Sequence, residues 1–179
     1  MRVPVNSVCS EPVSKMSSRA GALAFAALLM SCSSQPPPKS QPSPLLGDIM
    51  PAFQSTTLSG NPVISGAYDR HKVVLSFVGV KCQPCERVLT AAQAVYSGDR
   101  EVVVVGVFRK EDSENALSTA ARLALRFPVV VDRDGKLAKQ FQIQEVPSTF
   151  VVDTRGRVSW LGGSDLTEDG LTAALHAAQ

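Results

Sequence analysis

The chain has 179 residues, a length that favours one domain with some additional sequence. Hydrophobic residues make up 44% of it, which supports a globular core and excludes a disordered polymer. The formal net charge is only +2, without the basic stripe typical of nucleic-acid binding, so we predict no nucleic-acid partner.

The first 31 residues have the pattern of an export signal. Residues 20–30 form an uninterrupted apolar run, preceded by Lys15 and Arg19. The run is too short to span a bilayer as a helix, but its length matches the apolar region of a signal peptide. It ends in Leu29-Met30-Ser31-Cys32, which resembles the bacterial lipobox, whose cysteine is lipidated and becomes the first mature residue. The resemblance implies a lipoprotein signal peptide over 1–31; a plain secretory signal with an incidental cysteine is the alternative.

Processing at this point would leave two free cysteines. Cys9 lies in the removed segment and Cys32 would carry lipid, so the thiols of the folded part are Cys82 and Cys85. The mature chain would have 15 basic and 15 acidic residues and be formally neutral. We therefore predict a lipid-anchored cell-envelope protein facing the periplasm or the cell exterior, where disulfides persist. Ser33 resembles an outer-membrane sorting residue of Gram-negative lipoproteins.

The mature sequence divides into a linker and one domain. Residues 32–44 are rich in Pro, Ser and Gln and are predicted to form a semi-rigid stalk. Residues 45–179 have the pattern of an α/β domain, with Asp153-Thr154-Arg155-Gly156 as a hairpin turn. We expect a mainly parallel central sheet flanked by helices, with the last hairpin adding an antiparallel edge. Apolar runs predict strands at 72–78, 101–108 and 128–131, and the hairpin pattern predicts strands at 148–152 and 157–161. Helices are predicted at 82–96, 112–125, 135–141 and 166–178.

The segment Cys82-Gln83-Pro84-Cys85 follows a predicted buried strand and opens a predicted helix. Unpaired N–H groups and the helix dipole stabilise an anion there, which favours the thiolate that attacks in disulfide exchange. Two intervening residues bring the sulfurs within disulfide reach, and proline is tolerated in a first helical turn. We predict Cys82, at the tip, as the nucleophile and Cys85, a turn deeper, as the resolving thiol.

Two other uses of this cysteine pair are less consistent with the sequence. A zinc site needs about four ligands, but the chain has no second cysteine pair, and His71 and His176 lack the required spacing. A purely structural disulfide closing so small a loop would stabilise little. We therefore predict no metal and no cofactor.

Four motifs occur in the order found in one known family: Gly47–Phe53, the strand Val73–Phe77 followed by the cysteine pair, Val146–Asp153, and Gly156-Arg157-Val158. With these motifs, the domain resembles the membrane-anchored thioredoxin-like thiol:disulfide oxidoreductases of the TlpA/ResA type. The resemblance implies a thioredoxin fold, protein thiols and disulfides as substrates, and a membrane electron donor that keeps the protein a reductant.

The resemblance also assigns supporting residues to the site. In that family the proline that matches Pro147 is cis and lies beside the sulfurs, and it exposes the backbone of Val146 for pairing with an extended substrate segment. A cis X–Pro bond is affordable where the fold fixes it. The alternative is a trans proline that begins an ordinary strand.

The sequence departs from the family at two positions. The residue before the first cysteine, usually tryptophan, is Lys81, which either stabilises a Cys82 thiolate or is simply solvated. The position six before Cys82, often a buried polar or acidic residue in thioredoxins, is Ser76. This leaves Glu86 as the nearest acidic candidate for proton transfer with Cys85, unless its side chain faces solvent.

The leading hypothesis is a thiol-disulfide oxidoreductase, and three alternatives stay open. A peroxiredoxin-type peroxidase needs threonine three residues before its reactive cysteine, where this chain has Gly79 or Cys82. A copper chaperone would use soft thiolates for Cu(I), but related proteins have a wider cysteine spacing and a histidine on a downstream loop, whereas His176 lies in the last predicted helix. The third alternative is a scaffold with vestigial cysteines.

Overall fold

The computed structural model describes residues 36–178. The predicted signal peptide over 1–31 and the predicted lipidation residue Cys32 lie outside the described residues. No helix within 36–178 is long and apolar enough to cross a membrane. The strands are β1 (Gln54–Thr56), β2 (Pro62–Ile64), β3 (Lys72–Val78), β4 (Val102–Arg109), β5 (Val129–Asp132), β6 (Ser148–Val152) and β7 (Val158–Gly162). The helices are α1 (Gln83–Gly98), α2 (Ser113–Arg122), α3 (Lys136–Gln140) and α4 (Glu168–Ala177), with a 3₁₀ turn at Ser65–Tyr68.

The central sheet has five strands in the order β5-β4-β3-β6-β7. Strand β4 lies between β3 and β5 and is parallel to both, whereas β6 lies between β3 and β7 and is antiparallel to both. Only β6 therefore runs against the other strands. The predicted α/β architecture, with a mixed sheet and an antiparallel terminal hairpin, is confirmed.

Strand β3 lies at the centre of the sheet and is buried on both faces, as expected of a continuous apolar run. Its side chains alternate between two core clusters. Val74 and Val78 belong to the cluster that includes residues of α1, α2 and α4. Val73, Leu75 and Phe77 belong to the cluster beneath α3. This double burial fixes the end of β3, where the cysteine segment begins.

A small antiparallel hairpin of β1 and β2 was not predicted. Each strand has three residues, and Gln54 pairs with Ile64 while Thr56 pairs with Pro62. Of these six residues, only Val63 is buried. Such short, exposed strands do not produce the apolar pattern from which the longer strands were predicted.

The N-terminal strap (residues 36–44) was predicted as part of a stalk, but the structure places much of it on the domain. The indole Nε1 of Trp160 donates to the carbonyl oxygen of Pro38 at 2.8 Å. The Gln41 N–H donates to the Leu161 carbonyl at 2.7 Å, and the Leu161 N–H donates to Ser40 Oγ at 3.0 Å. The strap thus satisfies backbone groups of β7, which would otherwise form an open sheet edge.

Candidate active site

The cysteine segment lies where β3 passes into α1. Cys82 is the N-cap of α1, and its Sγ accepts the N–H of Cys85 at 3.3 Å. The two cysteines form a disulfide with their Cα atoms 5.2 Å apart. Pro84 lies in the first turn of the helix, where its missing N–H removes no intrahelical hydrogen bond. The sulfurs are therefore held at a helix N-terminus, which favours a thiolate once the bond is reduced.

The two sulfur-bearing residues differ in exposure. Cys82 is half-buried, whereas Cys85 is fully buried, with 0% of its surface exposed. The Gly79 N–H points to Cys85 Sγ at 3.5 Å from inside the loop between β3 and α1. An incoming substrate sulfur can therefore reach Cys82 but not Cys85.

The loop before β6 lies against this segment. The peptide bond between Val146 and Pro147 is cis. The Val146 side chain approaches Gly79 so closely that a Cβ atom at Gly79 would lie 3.6 Å from its Cγ2 atom. Val146 is half-buried, Pro147 is buried, and both Val146 and Cys82 pack against the same core cluster. The structure therefore brings Val146, which precedes Pro147, against the loop that leads to the cysteines.

The other predicted supporting residues lie at the rim. Lys81 and Gln83 flank Cys82 and are both exposed. Lys81 has a positive φ of 52°, an uncommon conformation for a residue other than glycine. This residue turns the chain from β3 into α1 while its side chain remains in solvent.

The sequence leaves Glu86 either as a candidate for proton transfer with Cys85 or as a surface residue, and the structure places its carboxylate in an ion pair with Arg122. The Arg122 guanidinium at the end of α2 donates to both of its oxygens, at 2.6 and 3.1 Å. The hydrogen bond from Arg122 lowers the pKa of Glu86 below 4.5. The stabilisation from this pair is therefore present above pH 4.5 and is lost as the pH falls through the lowered pKa. The structure thus gives Glu86 a place in a surface ion pair rather than beside the sulfur.

Sequence reasoning missed a different carboxylate, that of Glu111. It lies in the loop between β4 and α2, and its Oε1 accepts the Val80 N–H at 3.1 Å. Parallel pairing of β3 with β4, with Val78 opposite Phe108, places the loops that follow both strands at one edge of the sheet. A search of the residues after each parallel strand would have found it, because functional groups collect at this edge of α/β sheets.

The two histidines of the chain lie far from the cysteines. His71 precedes β3 and therefore lies at the opposite edge of the sheet, with its Nδ1 3.1 Å from the Asp69 carbonyl oxygen. His176 lines a cavity with Gly98 at the C-terminal end of α1. That helix has 16 residues. Its length separates His176 from Cys82 and Cys85 by roughly 20 Å, so residues 36–178 do not assemble a cysteine–histidine copper site.

Comparison with known proteins decides the family. The model of the AhpC/TSA family matches residues 46–161. The chain belongs to the AhpC/TSA family. Among AhpC/TSA relatives, the thiol-disulfide oxidoreductase ResA of Geobacillus kaustophilus is 27% identical over 134 residues, which cover 74% of this chain and 77% of that protein. The thioredoxin-like protein YneN of Bacillus subtilis is 28% identical over 114 residues, covering 62% of this chain and 66% of that protein.

Solved structures confirm a thioredoxin-like fold for this AhpC/TSA member. A thiol:disulfide interchange protein of the thioredoxin family from Chlorobium tepidum superposes with a TM-score of 0.67 at 20% identity, covering 79% of this chain and 99% of that chain. StoA of Bacillus subtilis superposes with a TM-score of 0.61 at 22% identity, covering 73% and 98%. The peroxidoxin BcpB of Mycobacterium tuberculosis gives 0.63 at 20% identity, covering 75% and 97%. These likenesses establish the fold, and the resemblance to ResA-type proteins is confirmed by the relatives of that name.

Proposed function

We propose that the protein is a thiol-disulfide oxidoreductase that acts on protein substrates through Cys82 and Cys85. The observation that carries the proposal is the asymmetric disulfide at the start of α1, with Cys82 accessible and Cys85 fully buried. The relatives named as thiol-disulfide oxidoreductases support the same chemistry. Protein thiols and disulfides are the substrate class.

As a reductant, the protein would work in two exchange steps. The Cys82 thiolate attacks one sulfur of a substrate disulfide, forming a mixed disulfide and releasing the other substrate sulfur as a thiolate. The Cys85 thiolate then attacks Cys82 Sγ, which breaks the mixed disulfide and releases the second substrate thiolate. The substrate gains two electrons, and the Cys82–Cys85 disulfide must be reduced again by a dithiol donor. A membrane-bound donor is the partner we propose.

The loop before β6 would hold the substrate during this reaction. Val146 is half-buried and packs beside Gly79, next to the loop that carries Cys82. An extended substrate segment lying along the backbone of Val146 would bring its sulfur to the exposed side of Cys82. This arrangement favours unfolded or loop disulfides over disulfides buried in folded substrates.

The test of the function is the reduction potential of the Cys82–Cys85 couple. We expect a reversible disulfide when the protein is equilibrated with glutathione buffers and its free thiols are counted by alkylation and mass measurement. A potential near about −270 mV supports a reductant, and one near about −120 mV supports a disulfide donor. Cys82→Ser is the control that removes the couple. The proposed function is wrong if no ratio of reduced to oxidised glutathione yields a reversible disulfide. It is also wrong if the protein reduces hydrogen peroxide faster than it reduces a protein disulfide.

We also propose that the protein is exported and lipid-anchored through Cys32. The support is the apolar run at 20–30 followed by Leu29-Met30-Ser31-Cys32. Labelled palmitate is expected to enter the protein in growing bacterial cells, and Cys32→Ser is expected to abolish the label. Cys9→Ser is the matched control, since Cys9 lies in the segment to be removed. Equal labelling of the Cys32→Ser variant would contradict the anchor.

A further inference from the structure

The Glu111 carboxylate lies against the loop whose Gly79 N–H points to the buried sulfur. Its Oε1 accepts the Val80 N–H at 3.1 Å, while the neighbouring Gly79 N–H points to Cys85 Sγ at 3.5 Å. A Cβ atom at Gly79 would lie 3.8 Å from Glu111 Oε1 and 3.6 Å from Val146 Cγ2. In this short loop the Val80 N–H donates to the Glu111 carboxylate, and the Gly79 N–H, one residue earlier, points to the Cys85 sulfur.

The conformation of the β4–α2 loop directs Glu111 to this position. Lys110 adopts a left-handed conformation with φ of 55°, directly after the end of β4. Its side chain extends towards Gly135, so that a Cβ atom there would lie 3.6 Å from Lys110 Cε. Glu111 is consequently half-buried against the cysteine loop, whereas its neighbour Lys110 is exposed.

The other charged groups at this edge are paired or exposed. Glu86 is paired with Arg122, Asp112 caps α2 by accepting the Asn115 N–H at 2.8 Å, and Arg109 donates to the Gln144 carbonyl at 3.3 Å. The buried Asp132 at the end of β5 accepts the N–H groups of Leu137 and Ala138 at 3.0 and 2.8 Å. The other charged side chains near the cysteine segment are exposed: Lys81, Arg87, Lys110, Glu145 and Asp165. Within residues 36–178, Glu111 is therefore the carboxylate that contacts the loop next to the Cys85 sulfur.

We propose that Glu111 is a positioning residue whose negative charge keeps Cys85 protonated until the resolving step. This inference rests on the proposed thiol exchange. A like charge close to a thiol disfavours the thiolate, and the low dielectric around a fully buried sulfur strengthens the effect. Cys82 then carries the thiolate in the reduced protein while Cys85 keeps its proton. In the resolving step the Cys85 proton passes to solvent and the Cys85 sulfur bonds to Cys82 Sγ as the bond between Cys82 and the substrate sulfur breaks. The departing substrate thiolate then takes up a proton from solvent.

The test compares the ionisation of Cys85 with and without this charge. In reduced Cys82→Ser protein, the pH titration of Cys85 is followed by the ¹³C chemical shift of its Cβ atom, which avoids coupling to a second active-site thiol. Glu111→Gln keeps an oxygen that can accept the Val80 N–H and removes only the charge. We expect the titration midpoint of Cys85 to fall by about one pH unit.

Glu86→Gln is the matched control, because it removes a carboxylate one residue from Cys85 that is paired with Arg122. This control is expected to leave the midpoint in place. A Glu111→Gln midpoint equal to that of the parent, or higher, would overturn the inference, since a structural role alone predicts no downward shift. Failure of this inference can be distinguished from failure of the proposed function. If only the inference fails, the protein with both cysteines still forms a reversible Cys82–Cys85 disulfide. If the proposed function fails, it does not.

The resolving step supplies a second measurement. In protein that keeps both cysteines, the release of a small aromatic thiol from its mixed disulfide with Cys82 is timed across the pH range. Glu111→Gln is expected to shift this rate profile to lower pH by the same amount as the Cys85 titration. Coincident profiles for the variant and the parent would contradict a role of the charge in the resolving step.

Discussion

Replacing Cys85 with serine is expected to stop thiol exchange after its first step and trap the substrate on Cys82. Cys82 remains accessible and able to attack, but the buried position that supplies the second thiol then holds a hydroxyl. Mixing the reduced variant with a protein disulfide should yield about one equivalent of a mixed disulfide, with turnover reduced to background. Non-reducing electrophoresis and intact mass measurement detect the adduct, which a reductant dissolves.

Cys82→Ser is the control for this trapping experiment. It leaves a thiol at Cys85 that a substrate cannot reach, so neither adduct nor turnover is expected. Adduct formation by Cys82→Ser protein would reverse the roles of the two cysteines. Wild-type turnover by the Cys85→Ser variant would show that the resolving thiol comes from elsewhere.

Replacing Phe141 with alanine is expected to cost the largest share of folding stability. Phe141 is 1% exposed and lies among three other aromatic rings, with centroid distances of 5.9 Å to Phe53, 5.2 Å to Phe77 and 5.6 Å to Phe150. Removing a buried ring loses its transfer free energy and leaves a cavity, which typically lowers the free energy of unfolding by about 3–5 kcal/mol. Urea unfolding followed by circular dichroism measures the loss.

Leu117→Ala is the matched control for stability. Leu117 is 58% exposed on α2, so its truncation should change the free energy of unfolding by less than about 0.5 kcal/mol. Phe141→Ala is still expected to fold, because a small domain has about 5–15 kcal/mol of stability. A loss as small as that of the control would mean that the neighbouring rings collapse into the space.

Strand β3 was predictable because its burial produces an apolar run, and β6 was predictable because it precedes the hairpin turn at Asp153–Gly156. Strands β3 and β6 begin and end where the sequence pattern places them, at 72–78 and 148–152. The place of the cysteine segment in the fold was also predictable, because the segment lies between the predicted strand β3 and the predicted helix α1. The hairpin of β1 and β2 was missed because it is held by backbone pairing across few residues, and its side chains are mostly exposed.

The acidic residue at the site shows the limit of reasoning from neighbours in sequence. Glu86 adjoins Cys85, but one step along a helix rotates the side chain by about 100°, and Arg122 holds it on the surface. Glu111 is remote in sequence, and only the parallel pairing of β3 with β4 places it beside Val80. The sequence pattern identifies which residues are polar, but the strand order determines which of them meet.

The contacts of the strap with β7 could not be predicted, because composition alone does not reveal a docking surface. Its prolines suit a free linker, but they suit a segment lying along a sheet edge equally well. The deciding group is Trp160, whose ring N–H needs an acceptor and finds the Pro38 carbonyl. Because Trp160 lies more than a hundred residues from Pro38 in the sequence, the composition of the strap does not reveal this hydrogen bond.

The route of the strap also determines which side of the domain would face an anchoring surface. Pro36 and Pro38 line a cavity together with residues 165–167, and those residues also line the groove beside Gln83 on α1. The chain therefore enters the domain at the edge that carries the sulfurs. Three residues separate Pro36 from Cys32. A lipid on Cys32 would therefore lie within about 15 Å of Pro36. Partners confined to the same membrane would then meet Cys82 at a high effective concentration.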